Sequence, residues 1–400
     1  MPKSRRRKPK RSTQQSPRRM TPPPRGSGWG DFEPWARAMV AVNDAEAKGE
    51  PREALDIMEA FAAGPDGSYF WRPSRAAYLM QLALLRPVTP AWAISRWVCH
   101  QALQSLPADA HDRSRSDRAL DLAIELRGGR ERLPGRDEAD AVARVMDGDW
   151  VYRQLLLYEY GGLGRFVEKV ASSSLLASAG DVRRWVDARM GGYELLGSTP
   201  TTTTWTDLST GQEHVTANIG SSVLVVPGES VIGRLVPSPT GELFEMRPMV
   251  VPTALARGVA DDPTGWLDVL AVHRRDDPDW ASDYYPGYDV TLLSDVPTFV
   301  WELMLLREVP PTDRDGDAWL ARAVLDAASR HLTDGLPPGR DEAEVWPCVG
   351  AAILEPPVIR GLASAARADD IPLLDRLSET LADPAALACR SLALELSNAA

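Results

Sequence analysis

From Asp31 to about Met190, apolar residues recur three and four positions apart. PWARAMVAVNDAEAKGE, PREALDIMEAFAAG and PSRAAYLMQLALL each gather them on one side of a 3.6-residue turn, which predicts amphipathic helices. In PAWAISRWVCHQALQSL, Ile94, Val98, Ala102 and Leu106 form one stripe. Pro51, Pro73 and Pro90 suit first helical turns, where the missing N–H is not needed. WVYRQLLLYEYGGLGRFVEKV predicts a helix broken at Gly161, Gly162 and Gly164. DVRRWVDARMGG predicts a short helix with an Asp cap and a double-Gly stop.

The period changes at Tyr193. The next sixty or so residues are rich in Thr and Val and are punctuated by Ser209-Thr210-Gly211, Pro227-Gly228 and Pro239-Thr240-Gly241. In HVTANI, Val215, Ala217 and Ile219 alternate with His214, Thr216 and Asn218, so the pattern predicts a dry face carrying the first three and a wet face carrying the others. The spacing predicts an antiparallel meander of roughly four to six strands. Helical spacing returns from Pro252 to the end. The fold class is therefore α+β, predominantly helical with a small central antiparallel β-meander. The expected parts are a disordered basic arm and linker (1–28), a helical domain (29–190), the meander (191–255) and a C-terminal helical region (256–400). One echo stands out: LPGRDEADAVARV (133–145) and LPPGRDEAEVWPCV (336–349). It reads as the same helix-start chemistry used twice rather than as a repeat, because no fixed short period recurs.

The stretch from Trp150 to Val251 carries YEYGGLGRF, GGYELL, DLSTGQEHV and VPGESVIGRLVPSPTGELFEMRPMVV. In these turn and strand residues it resembles an uncharacterised actinobacterial family of helical proteins, and the module that follows the SEC-C zinc motif in some bacterial proteins. The resemblance covers about a quarter of the chain. The zinc ligands of that motif are absent, since Cys99-His100 has no cysteine pair nearby. The resemblance therefore implies a fold but neither a metal nor an activity.

Charge changes the picture most. Lys3, Arg5, Arg6, Arg7, Lys8, Lys10, Arg11, Arg18, Arg19 and Arg25 place ten positive charges and no negative one in residues 1–26. Residues 27–400 hold 35 basic and 56 acidic side chains, a net of −21. Such a body repels polyanions, so attraction to nucleic acid or to an acidic partner falls to the arm, through Arg5, Arg6, Arg7, Lys8, Lys10, Arg11, Arg18 and Arg19. Without aromatic residues, the arm grips phosphates by charge and reads no bases. Three readings of the arm stay open: a nucleic-acid grip, docking on an acidic body, and a chain that starts at Met20.

Three scattered cysteines and no apolar leader predict reduced thiols and a cytoplasmic location, and no segment reaches the length of a membrane span. The body lysines, Lys48 and Lys169, precede Gly49 and Val170, which excludes a Walker-type phosphate loop. HExxH and GxSxG are absent, and no GxGxxG follows a strand. Hence neither a cofactor nor a metal is expected. The densest candidate chemistry is DDPDWASDYYPGYD (276–289), where Asp279, Asp283 and Asp289 stand among Trp280, Tyr284, Tyr285 and Tyr288, with His273 just upstream. Clustered carboxylates in unlike environments can divide into acid and base or hold a cation. The competing reading is a solvated loop shaped by Pro278, Pro286 and Gly287. The expected function is a cytoplasmic, non-enzymatic interaction protein with a basic arm. The alternative is a hydrolase-type enzyme or cation binder that uses this loop.

Overall fold

The computed structural model describes residues 29–63, 70–86, 88–104, 110–133, 135–277, 292–307 and 315–399. The basic arm lies outside them. Helices open the fold: α1 (Trp29–Lys48), α2 (Pro51–Ala60), α3 (Pro73–Leu84), α4 (Ala91–Gln104), α5 (Ala110–Leu126), α6 (Glu138–Gly148), α7 (Trp150–Gln154), α8 (Gly162–Lys169), α9 (Ser173–Ser178) and α10 (Val182–Trp185). Pro51 and Pro73 occupy first-turn positions of α2 and α3. One π-helical turn, Leu155–Glu159, continues α7. The break falls at Gly161, with a φ of +67°, whereas Gly162 and Gly164 lie inside α8 rather than breaking the helix. Asp181 precedes α10 but makes no side-chain capping bond there.

Seven strands follow: β1 (Gly191–Ser198), β2 (Thr202–Asp207), β3 (Glu213–Ala217), β4 (Ser230–Gly233), β5 (Leu235–Ser238), β6 (Gly241–Phe244) and β7 (Met249–Val251). The order β5-β6-β3-β2-β1-β4-β7 curves into half a barrel. The sheet is larger than the expected meander, and it is mixed. β3 and β6 pair in parallel through the single register Thr216↔Glu242, while the other pairings are antiparallel. At the β2–β3 turn, Asp207 Oδ1 accepts from the backbone N–H of Ser209 (2.7 Å) and Thr210 (3.1 Å), and Gly211 supplies the positive φ of +72° that closes it.

The last helices are α11 (Thr253–Asp261), α12 (Trp266–Asp276), α13 (Thr298–Leu305), α14 (Asp315–Thr333), α15 (Glu342–Ile353), α16 (Pro356–Ala365), α17 (Ile371–Thr380) and α18 (Ala385–Ala399). The echoed motif is helix-start chemistry in both places. Asp137 Oδ1 accepts from Asp140 N at 2.9 Å at the start of α6, and Asp341 Oδ1 accepts from Glu344 N at 3.0 Å at the start of α15. Beyond the cap the two differ: α15 is buried along nearly its whole length, whereas α6 buries only Ala141 and Val145.

The N-terminal and C-terminal helices share one core. Val42, Leu79, Trp97 and Trp185 belong to the same apolar cluster as Val324, Leu325, Val349 and Leu377. Gln81 of α3 reaches across it, donating to the carbonyl of Leu354 at 2.8 Å. A second cluster packs α5, α6 and α7 against β4, β7, α11 and α12. A third fills the half-barrel with Tyr193, Leu195, Trp205, Val231 and Phe244.

The expected alternation of faces in β3 and just beyond it holds at Ile219, which is buried, but fails at Val215, Thr216 and Asn218. Val215 is 58 % exposed, whereas Thr216 and Asn218 are buried. The reason lies on the neighbouring strand. Trp205 Nε1 is buried and needs acceptors, and Thr203 Oγ1 (2.9 Å) and Thr216 Oγ1 (3.3 Å) supply them. Asn218 Nδ2 donates to the carbonyls of Thr199 (2.7 Å) and Ala343 (3.2 Å), tying the end of β3 to α15. A buried polar side chain whose hydrogen bonds are made carries little penalty, so the alternation gave the strand but the partners chose the face.

Candidate functional site

The sequence-derived candidates fall in different places. Arg5, Arg6, Arg7, Lys8, Lys10, Arg11, Arg18 and Arg19 lie outside the described residues, as do Asp279, Asp283 and Asp289. His273 sits in the last turn of α12 beside Arg274 and Arg275, half-buried, with its Nε2 shielded from solvent.

The densest polar chemistry among the described residues is internal. Arg96 on α4 donates to Asp295 Oδ1 at 3.0 Å and to the carbonyl of Phe244 at 2.9 Å, and its guanidinium lies 5.2 Å from the centre of the Trp92 ring. Ser221 Oγ donates to the second oxygen of Asp295 at 2.8 Å. Around the π-helical turn, Arg234 donates to Gln154 Oε1 (2.8 Å) and Glu159 Oε1 (2.7 Å) and stacks 4.2 Å over the Tyr158 ring. Trp266 Nε1 donates to the same Glu159 oxygen at 2.9 Å, and Gln154 Nε2 donates to Glu245. A π turn shifts the register of the residues it carries, which here presents Tyr158 and Glu159 to Arg234. Two further buried pairs, Arg75–Glu46 and Arg127–Asp149, brace the helical layer. Each of these guanidinium groups is matched by a carboxylate, so the network joins elements and leaves little charge for a ligand.

One histidine–carboxylate pair stands at the seam of the half-barrel. His214 Nδ1 lies 2.7 Å from Glu242 Oε2, beside the single β3–β6 register, with the Tyr193 ring 6.2 Å from the imidazole. Burial pushes the Asp207 carboxyl up, but the hydroxyl and backbone N–H of Ser209 and the backbone N–H of Thr210, with a smaller contribution from the nearby His214, hold it below the usual range. Such a pair is one component of a nucleophile-activating set. Among the described residues, no serine, threonine or cysteine is hydrogen-bonded to His214, so its evident role is to clip β6 to β3. The sequence pattern placed His214 on the wet face, and nothing in it marked Glu242, which comes from a strand two turns further on.

The thiols are closed to chemistry at neutral pH. Cys99, Cys348 and Cys389 are all buried, and burial pushes each up to about 12, with the Glu245 charge adding to the effect at Cys99. Burial also holds the His100 imidazole well below its ordinary value, edge-on to Tyr78. Among the described residues, no group of three or more His, Cys, Asp or Glu side chains is placed to hold a metal ion, and no single helix is long and apolar enough to cross a membrane. No family model, curated protein or solved structure matches the chain.

Proposed function

We propose that the protein is a non-catalytic interaction protein whose basic arm holds a polyanionic partner, nucleic acid or an acidic protein surface, by charge. The observation that carries this reading is the charge partition. Ten cations and no anion occupy residues 1–26, ahead of a body with a net charge of −21. Two features of the body support it. Its buried arginines are matched internally by Asp295, Glu159, Glu46 and Asp149, and its thiols are neutral and buried. Attraction to a polyanion then rests on the arm, working against the repulsion of the body, so binding is weak and strongly dependent on salt.

The test is a titration of the full chain, and of a chain beginning at Ser27, with labelled single-stranded RNA at several salt concentrations. The full chain binds at low salt, with log K falling against log salt by roughly 0.7 per phosphate neutralised on a single strand. Equal binding by both chains removes the arm from the function. If RNA does not bind, capture of an acidic protein by the full chain alone supports the second kind of partner.

A further inference from the structure

A cleft of about 320 Å³ opens where the end of α1, the start of α2, the α3–α4 connection and α9 meet. Its size falls at the lower end of the range used by small-molecule sites. α1 stops there in a Schellman-type turn, with Gly49 N bonded to the Glu46 carbonyl (2.9 Å) and Glu50 N to the Ala45 carbonyl (3.0 Å). The turn sets Lys48 and Glu50 on the rim, and Arg86 joins them from the α3–α4 connection. None of these three charged side chains is in an ion pair or a side-chain hydrogen bond among the described residues. That contrasts with the matched arginines of the interior.

The hydroxyls on the rim are already committed as donors. Ser174 Oγ donates to the Lys48 carbonyl and Ser178 Oγ to the Ser174 carbonyl, both at 3.1 Å, and Thr89 Oγ1 donates to the Leu85 carbonyl at 2.8 Å. What each offers a ligand is a lone pair, which suits an N–H donor and not an anion. The deeper lining is apolar, from Leu82, Ile94, Trp97 and Leu175. The cleft thus combines two unpaired cations, one unpaired carboxylate, acceptor oxygens and an apolar base.

We propose that this cleft binds a small zwitterion with an apolar side group, an α-amino acid of the leucine, methionine or phenylalanine kind. Lys48 and Arg86 take the carboxylate, Glu50 and the Ser174 and Ser178 oxygens take the ammonium group, and the side chain lies against Leu82 and Trp97. The proposal is independent of the arm, so a chain beginning at Ser27 keeps this binding.

The test is calorimetric titration of the full chain with L-leucine, L-methionine and L-phenylalanine. Each is paired with analogues lacking one charge; for leucine these are 4-methylpentanoate and 3-methylbutylamine. At least one amino acid binds at millimolar concentration or better, and each of its analogues binds about tenfold more weakly, the worth of one charge-assisted hydrogen bond. Arg86→Ala and Glu50→Gln each weaken the amino acid by a similar factor, whereas Arg52→Ala, on the exposed side of α2, does not. These positions are exposed, and circular dichroism checks that the fold is kept. Failure of all three amino acids to bind, binding of the bare carboxylate as tight as that of the amino acid, or indifference to Arg86→Ala and Glu50→Gln overturns the proposal.

Discussion

Arg96 joins parts of the chain that lie far apart in the sequence. Its guanidinium, on α4, joins the Phe244 carbonyl at the end of β6 to Asp295 in the segment that leads into α13. Arg96 and Asp295 are both nearly inaccessible, at 4 % and 2 % exposure. Arg96→Met keeps most of the stem but strips Asp295 Oδ1 of its cation and Phe244 of a donor. An ionised carboxylate left buried with only the Ser221 hydroxyl costs about 3–5 kcal/mol, a large share of the stability of a domain. Asp295→Leu leaves the guanidinium unmatched at similar cost. The double variant Arg96→Met/Asp295→Leu removes both charges, and replacing a buried pair by apolar residues is often neutral. It should therefore lie within about 2 kcal/mol of the wild type, a coupling of several kcal/mol between the two positions. Urea unfolding followed by tryptophan emission measures all four proteins, and one transition common to them keeps the comparison valid. A single variant that loses less than about 1 kcal/mol, or a double variant that loses the sum of the singles, would refute the claim that the pair acts as a matched unit.

The remaining predictions concern titration, turns and surface pairs. Thiols held near 12 in the fold and near 9 when unfolded favour the native state fully at neutral pH, and that advantage is lost as pH rises from about 9 towards 12. Unfolding free energy should fall over this range, and Cys389→Ala should make the fall shallower by about 1.4 kcal/mol per pH unit; an unchanged slope contradicts the burial argument. At pH 8 an aromatic disulfide reagent should leave all three thiols unmodified in the native protein and label all three in urea, whereas rapid native labelling would mean that at least one is accessible. Gly49→Ala should cost about 1–2 kcal/mol in urea, because φ is +82° there although the new methyl group has room beside Leu175; a neutral result would show that the turn relaxes. Glu242→Gln, at the half-exposed His214 pair, should change stability by less than about 1 kcal/mol, and a larger loss would make that clip the main bond between β3 and β6.

Local chemistry was legible along the chain. The prolines of α2 and α3, the caps Asp137 and Asp341, the turn at Gly211 and the switch from helical to strand spacing after Met190 all act within a few residues, so a short window carries them. The extent of the sheet was not. Four of its strands are only three or four residues long, and its parallel seam rests on one register, Thr216↔Glu242, that no local pattern encodes.

By itself, the sequence determined the α+β class, the helix starts and the separation of a cationic arm from an anionic body, because propensity, capping and charge are properties of neighbouring residues. Tertiary structure alone decided that both helical blocks share one core, that Thr216 in β3 and Asn218 just after it turn inward, and that Lys48, Glu50 and Arg86 meet at one cleft. The physical reason is that a side chain's cost of burial depends on the partner it finds, and these partners are distant in the chain. Thr216 and Asn218 go inside because Trp205 Nε1 and the Ala343 carbonyl are there to meet them.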